Sequence, residues 1–288
     1  ILETNFKDNF KLKPITLDSY CVNNPKGQKT LILNSPNNPT GAVYSNSELK
    51  ALAKICKRHN ILVLSDEIYS LISFSGLVPD SMAYHYPENT FVFGGLSKVF
   101  SAGGYRLGFL KLPPNSEELH RIYLSLFSET FSAVASPVQY AAIEAFSMNE
   151  DLTNYIKTGS KILKGIANYV FKELSQVGVQ CTQPQGAFYM MIGFNKYKSI
   201  LEEKLGIKTS KELASYLLVT HGVALLPGSD FYFAEEDLFF RLAYVDFNGK
   251  NIHNKTFLDT TIDRDFIRTN CPNIYKGVNE LIQFTRTL

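Results

Sequence analysis

The sequence predicts an α/β protein, with a larger first domain built on a mostly parallel sheet and a smaller α+β domain after it. Three observations carry this reading. Short apolar strands alternate with helical patterns between residues 30 and 112. A long amphipathic stretch, residues 151–174, then divides the chain. Beyond it strands and helices interleave in a different texture, with no internal repeat and no low-complexity tract. Strands and helices alternating through short loops favour right-handed crossovers and a parallel sheet.

Taken in order, residues 30–35 (TLILNS) read as a strand and residues 37–41 (NNPTG) as a turn built from Asn, Pro and Gly. Ser45 and Glu48 form a capping box ahead of ELKALAKICKRHN, an amphipathic helix. Residues 61–66 (ILVLSD) are nearly all apolar until the last two, as in a strand buried on both faces. Residues 90–95 (TFVFGG) make a third strand. Residues 106–112 (RLGFLKL) make a fourth, whose short connection leaves its direction open. Helical patterns fill residues 115–128 and 137–146, and the stretch from 151 reads as a helix bridging two domains. GVQCTQ, AFYMMIGF, GVALLP and LFFRLAYV are strands of the second domain, with helices near 210–220 and 273–285. The domains are expected at 1–148 and 149–288.

Composition narrows the function. Of 288 residues, 45% are hydrophobic and 19% charged, enough for a sizeable core, and the net charge of +2 is spread without a basic block. Nucleic acid and anionic membranes are therefore not the expected partners. Four cysteines (Cys21, Cys56, Cys181, Cys271) lie far apart and read as reduced, mostly buried thiols of an intracellular, cytoplasmic protein. The five histidines show no metal spacing, so no metal is expected. No apolar run approaches the roughly 18 residues of a membrane span. The start at Ile1, followed by LETNFKDNFKLK, has no signal-peptide core and is expected to reflect an absent upstream segment. P-loop, dinucleotide and nucleophile-elbow motifs are missing. Ser47 and Lys50 fit S-x-x-K, but inside an amphipathic helix and without companion motifs.

Chemistry gathers at the carboxyl ends of consecutive strands. The first runs into Asn38. The second ends at Asp66, with Tyr69 three residues on. The third leads into Ser97 and Lys98, with Arg106 eight residues after the lysine. Open α/β sheets bind ligands just outside such strand ends. Singly, each residue has a plainer reading. Asn38 could shape a turn, Asp66 could cap a helix, and Lys98, Arg106 and Arg241 could be solvated surface charges. Together and in this order they point to one pocket.

Asn37-Asn-Pro-Thr-Gly41, Ser65-Asp-Glu-Ile-Tyr69, Gly95-Leu-Ser-Lys98 and Gly104-Tyr-Arg-Leu-Gly108 resemble the class I/II aminotransferases of pyridoxal-phosphate (PLP) fold type I. Gly186-Ala-Phe-Tyr189, Gly222-Val-Ala-Leu-Leu-Pro-Gly228 and Phe240-Arg-Leu-Ala243 resemble that family's small domain. The resemblance runs in register over residues 30–245. It implies a three-layer large domain, here without its N-terminal part, and PLP as cofactor. Lys98 would form the Schiff base and shuttle the proton as general base and acid. Asp66 would keep the pyridine nitrogen protonated. Tyr69 and Asn38 would donate to the phenolic oxygen, and Arg106 and Ser97 would hold the phosphate. Arg241 would grip the substrate carboxylate in a bidentate fork that lysine cannot reproduce, and Asn38 is also expected among the substrate-binding residues.

The implied reaction is transfer of an amino group from an amino acid to a 2-oxo acid. A fold-type-I lyase, such as a carbon–sulfur lyase, is the rival enzyme. Those lyases usually carry His where this chain has Tyr69. An inactive fragment used for binding or dimerisation is the rival outside catalysis. The segment 128–142 resembles the family's interface region and implies a homodimer. Two departures stand out. Gly95 replaces a serine that many members use as a phosphate ligand, and only 37 residues precede Asn38, where members have a much longer stretch. On that ground the 288 residues alone are expected to bind PLP poorly, to lack transaminase activity and to aggregate.

Overall fold

The computed structural model describes residues 2–76, 80–256 and 260–288. The chain divides into two compact units, residues 1–36 with 43–157, and residues 37–42 with 158–288.

In the first unit, proline at a first-turn position starts α1 (Pro14–Asn23), where its missing N–H is no loss. β1 (Thr30–Asn34) follows. α2 (Asn46–Arg58) opens on the expected capping box, in which the Ser45 hydroxyl accepts from the Glu48 amide and the Glu48 carboxylate from the Ser45 amide at 2.7 Å. Then come β2 (Leu62–Asp66), the short α3 (Met82–His85) capped by Ser81, and β3 (Thr90–Gly95). β4 (Gly108–Lys111) completes a sheet of order β1-β2-β3-β4. The first three strands are parallel, with Ile32 opposite Leu64 and Asp66 opposite Phe93. β4 runs antiparallel, with Gly95 opposite Gly108.

This sheet has two unlike faces. On one, Leu33 and Val63 pack with Leu17 and Cys21 of α1, Leu49, Leu52 and Cys56 of α2, and Met82 of α3. On the other, Ile32 is 72% exposed and Phe93 36% exposed, with Leu64 half-buried between them. The apolar run of β2 predicts burial on both faces. Instead Val63 and Ser65 are buried while Leu62 and Leu64 are only partly covered, because α1 to α3 pack against the face that carries Leu33 and Val63. α4 (Glu117–Thr130) has no buried residue. α5 (Ser136–Ser147) sets Phe146 edge-on to Phe100 and to Phe109 of β4, with ring centroids 5.7 and 5.4 Å apart. α6 (Glu150–Gln176) carries the chain from the first unit into the second.

The second unit is organised differently. β5 (Gln180–Cys181), β6 (Tyr189–Gly193), β7 (Leu226–Pro227) and β8 (Phe239–Ala243) form an antiparallel sheet of order β5-β6-β8-β7. Every residue of β6 is buried. α6 contributes Ile162, Ile166, Val170 and Leu174, four residues apart and therefore on one helix face. α7 (Lys198–Leu205) and α8 (Ser210–His221) bury Leu201, Leu213 and Leu217. α9 (Gly249–Asn254), α10 (Arg264–Asn270) and α11 (Pro272–Thr287) complete the unit. Phe194, Phe240 of β8 and Phe284 of α11 meet edge to face at its centre. All four cysteines are free and buried, and among the described residues no helix is long and apolar enough to cross a membrane.

Candidate active site

The first unit carries Asp66, Tyr69, Ser97, Lys98 and Arg106. Asp66 is the last residue of β2, and Phe93 opposite it lies just before the end of β3. Ser97 and Lys98 occupy the turn that leaves β3, closed by the Ser101 amide donating to the Lys98 carbonyl at 3.2 Å. Arg106 enters antiparallel β4, and the Leu96 amide donates to the Leu107 carbonyl at 3.1 Å. The register thus brings Asp66, Lys98 and Arg106 to one end of one sheet.

Asp66 opens on a cavity of about 390 Å³ walled by Ile32, Leu64, Ile68, Phe93 and Gly94. Burial pushes its carboxyl above the usual aspartate range, and the Ile68 amide at 3.2 Å only partly offsets this. An acid set among apolar walls favours a partner that brings a proton or a positive charge. Tyr69 sits in the following turn, 4% exposed, with its carbonyl accepting from the Ile72 amide at 2.8 Å. The half-buried Lys98 amine has no ion pair or hydrogen bond among the described residues. Arg106 adopts a left-handed backbone (φ 54°), uncommon for a non-glycine residue, and its guanidinium donates to the Gly103 carbonyl at 2.9 Å.

Gly95, the position that departs from the family pattern, leaves no room for a side chain. A Cβ there would stand 2.6 Å from the Leu107 carbonyl oxygen and 3.0 Å from Gly108 Cα, both backbone atoms of the adjoining chain. Its lack of a serine hydroxyl follows from how closely that chain approaches β3.

The second unit carries Asn38 and Arg241. Asn37 shapes their turn: its side chain accepts from both the amide and the hydroxyl of Thr40, at 3.1 and 2.8 Å. Thr182 Oγ1 donates to the Thr40 carbonyl at 3.0 Å, and the Gln185 amide donates to the Gly41 carbonyl at 2.7 Å. Gly41 has φ +72°, and a Cβ on it would lie 2.5 Å from the Tyr189 carbonyl oxygen, so the turn requires glycine. The Asn38 side chain receives Arg241 Nη1 at 2.9 Å. The Arg241 guanidinium carbon lies 4.6 Å from the Tyr189 ring centre and 5.3 Å from that of Phe231. Arg241 Nε is buried without a hydrogen-bond partner, and among the described residues no carboxylate neutralises the group. A half-buried guanidinium set against aromatic rings, with no carboxylate partner among the described residues, is a receptor for an anion. Phe231 carries no motif that would have marked it in the sequence.

A sheet whose parallel strands deliver an acid and a lysine to one end is the frame of the PLP-dependent enzymes of fold type I, and solved structures agree. An aromatic aminotransferase from Pyrococcus horikoshii superposes with a TM-score of 0.78 over 99% of this chain and 66% of its own, at 24% identity. A Thermus thermophilus aspartate aminotransferase with maleate gives 0.75 over 100% and 63%, at 25% identity. The sequence profile "Aminotransferase class I and II" matches residues 3–253, and the chain belongs to that family. Aspartate aminotransferase from Geobacillus stearothermophilus is 33% identical over 229 residues, covering 78% of this chain and 55% of the relative. A probable aspartate/prephenate aminotransferase from Aquifex aeolicus is 34% identical over 209 residues, covering 70% and 50%. The chain thus spans about half the length of the curated relatives it matches.

Proposed function

We propose that the protein in its working form is a PLP-dependent aminotransferase. One observation carries the reading most. Asp66 and Lys98 leave adjacent parallel strands at the same sheet end, the acid facing an apolar cavity and the amine unpaired. These residues fit the cofactor. The cavity suits a flat aromatic ring, and the buried acid suits a protonated ring nitrogen. When bound, PLP supplies an electron sink for the carbanion formed at the substrate Cα.

The protein's own groups do the rest. Lys98 Nζ would hold the cofactor covalently and would act as the general base and acid at the substrate Cα. The Asp66 carboxylate would keep the ring nitrogen protonated. In the first unit Tyr69 would donate to the phenolic oxygen, and Ser97 and Arg106 would hold the phosphate; the resemblance gives Asn38 of the second unit a donor role as well. Arg241, oriented by Asn38 and by the rings of Tyr189 and Phe231, takes the substrate α-carboxylate.

The names of the relatives make aspartate the first donor to test, with 2-oxoglutarate or pyruvate as acceptor. Apolar residues left exposed on α4 and α5, among them Ile122, Leu126, Tyr140 and Ile143, support a homodimer. Four unpaired buried cysteines support a reducing, cytoplasmic setting. The test is a panel of amino acids with native protein and with Arg241→Ala. Removing a desolvated bidentate pair should lower kcat/KM by about 2–5 kcal/mol for every amino acid, with PLP still bound. A native protein inert to the whole panel would overturn the activity, and an unchanged kcat/KM in the variant would place the carboxylate elsewhere.

A further inference from the structure

Glu67, next to Asp66, is the one acid of the Ser-Asp-Glu-Ile-Tyr motif left without a role in the proposed chemistry. Strand alternation sends its side chain away from the cavity that Asp66 faces. There its Oε1 accepts two hydroxyls, from Ser65 Oγ at 2.8 Å and from Ser81 Oγ at 2.7 Å. Ser65 lies on β2 itself and is buried. Ser81 is the N-cap of α3, accepting from the Ala83 amide at 3.1 Å. The Glu67 amide donates to the Phe93 carbonyl at 2.9 Å, extending the β2–β3 ladder past Asp66. The Glu67 carbonyl accepts from the Ser70 amide at 2.9 Å and so begins the turn that bears Tyr69. One residue thus fixes the exit of β2, the start of α3 and the turn between Asp66 and Tyr69.

We infer that Glu67 is a positioning residue: through the hydroxyls of Ser65 and Ser81 it holds the strand end and the following turn, and with them the placement of Asp66 and Tyr69 against the bound cofactor. The inference rests on the aminotransferase reading. Burial raises the carboxyl above its ordinary range while the two hydroxyls and Lys111 act the other way. A half-buried acid is thus retained where an apolar residue would pack at less desolvation cost. A side chain that locks the support of a reactive group sets geometry to within fractions of an ångström, which reactivity feels strongly.

The test uses the PLP-loaded native protein with Glu67→Ala, Glu67→Gln and Ser65→Ala. It reads the pH titration of the cofactor's visible band together with kcat and KM. Glutamine keeps an oxygen where both hydroxyls converge, so Glu67→Gln should stay near wild type. Glu67→Ala should move the titration midpoint upward by about one unit as Tyr69 loses its fixed position. It should also lower kcat about ten- to hundredfold with KM little changed. Ser65→Ala removes a single bond and should move the band the same way by less, which keeps the test decisive if Glu67→Ala folds poorly. A wild-type titration in Glu67→Ala or in Ser65→Ala, with only the melting temperature lowered, would overturn the inference. So would a Glu67→Gln protein as impaired as Glu67→Ala. A wild-type protein with no visible band after PLP addition would overturn the cofactor assignment and this inference with it.

Discussion

The two sheets solve the same packing problem to different degrees. In the second unit β6 is buried along its whole length, and Phe194, Phe240 and Phe284 close the core edge to face. In the first unit the parallel sheet is well packed on one face, while Ile32 and Phe93 stand open on the other beside the cavity of Asp66. A fully enclosed sheet derives stability from both faces. A half-open one leaves room for a ligand and holds its reactive groups on strand ends tied down from one side only.

The largest expected effect breaks the comparison at its strongest point. Phe240→Ala should destabilise the second unit by about 3–5 kcal/mol, as loss of a fully buried aromatic does, whereas Ile32→Thr should change stability by less than about 0.5 kcal/mol. Denaturant unfolding of both variants measures this. A loss of several kcal/mol in Ile32→Thr would mean that the open face is covered in solution.

Much of this contrast was legible in the sequence, and the gaps are instructive. The capping box at Ser45 and Glu48, the strands around Asp66 and Lys98, and the amphipathic stretch that becomes α6 are local patterns, and they form as read. The covering of β2 was not legible, because an apolar run gives a period but not the layer that meets it. The division of labour between Asn37 and Asn38 was hidden too. Either asparagine could close the turn; the Thr40 contacts mark Asn37 and the Arg241 bond marks Asn38. Phe231 reaches Arg241 from the short helix that follows β7, and Glu67 finds Ser81 across fourteen residues. Contacts of that kind follow from tertiary structure, which single-chain spacing does not encode.

A smaller effect sharpens the account of the sheet end. Gly95→Ser would restore the hydroxyl that many relatives carry, but its Cβ meets backbone at 2.6 Å. It should therefore destabilise by about 1–3 kcal/mol, as overpacking does, and tighten PLP binding not at all. Thermal unfolding and a PLP titration test both halves, and a stable variant with tighter PLP would contradict the close approach of the backbone following Arg106.

The smallest effect concerns Asp66 alone. Its folded-state pKa is raised by burial, so the folded protein holds the proton more tightly than the unfolded chain. The ionised carboxyl therefore lowers stability as pH rises through the folded value, and the penalty fades as pH falls toward the ordinary value of 3.8. Asp66→Asn should raise the melting temperature of PLP-free protein at neutral pH, with the gain vanishing near pH 4, while weakening cofactor function. A lower melting temperature at neutral pH would show that the carboxylate is stabilising where it sits.

The central claim is that Lys98 carries the cofactor, and borohydride reduction of the PLP-loaded native protein followed by peptide mapping tests it most directly. The account predicts the pyridoxyl label on the peptide containing Lys98, and no label in Lys98→Ala. Label fixed stoichiometrically on another lysine, with Lys98 unmodified, would contradict it.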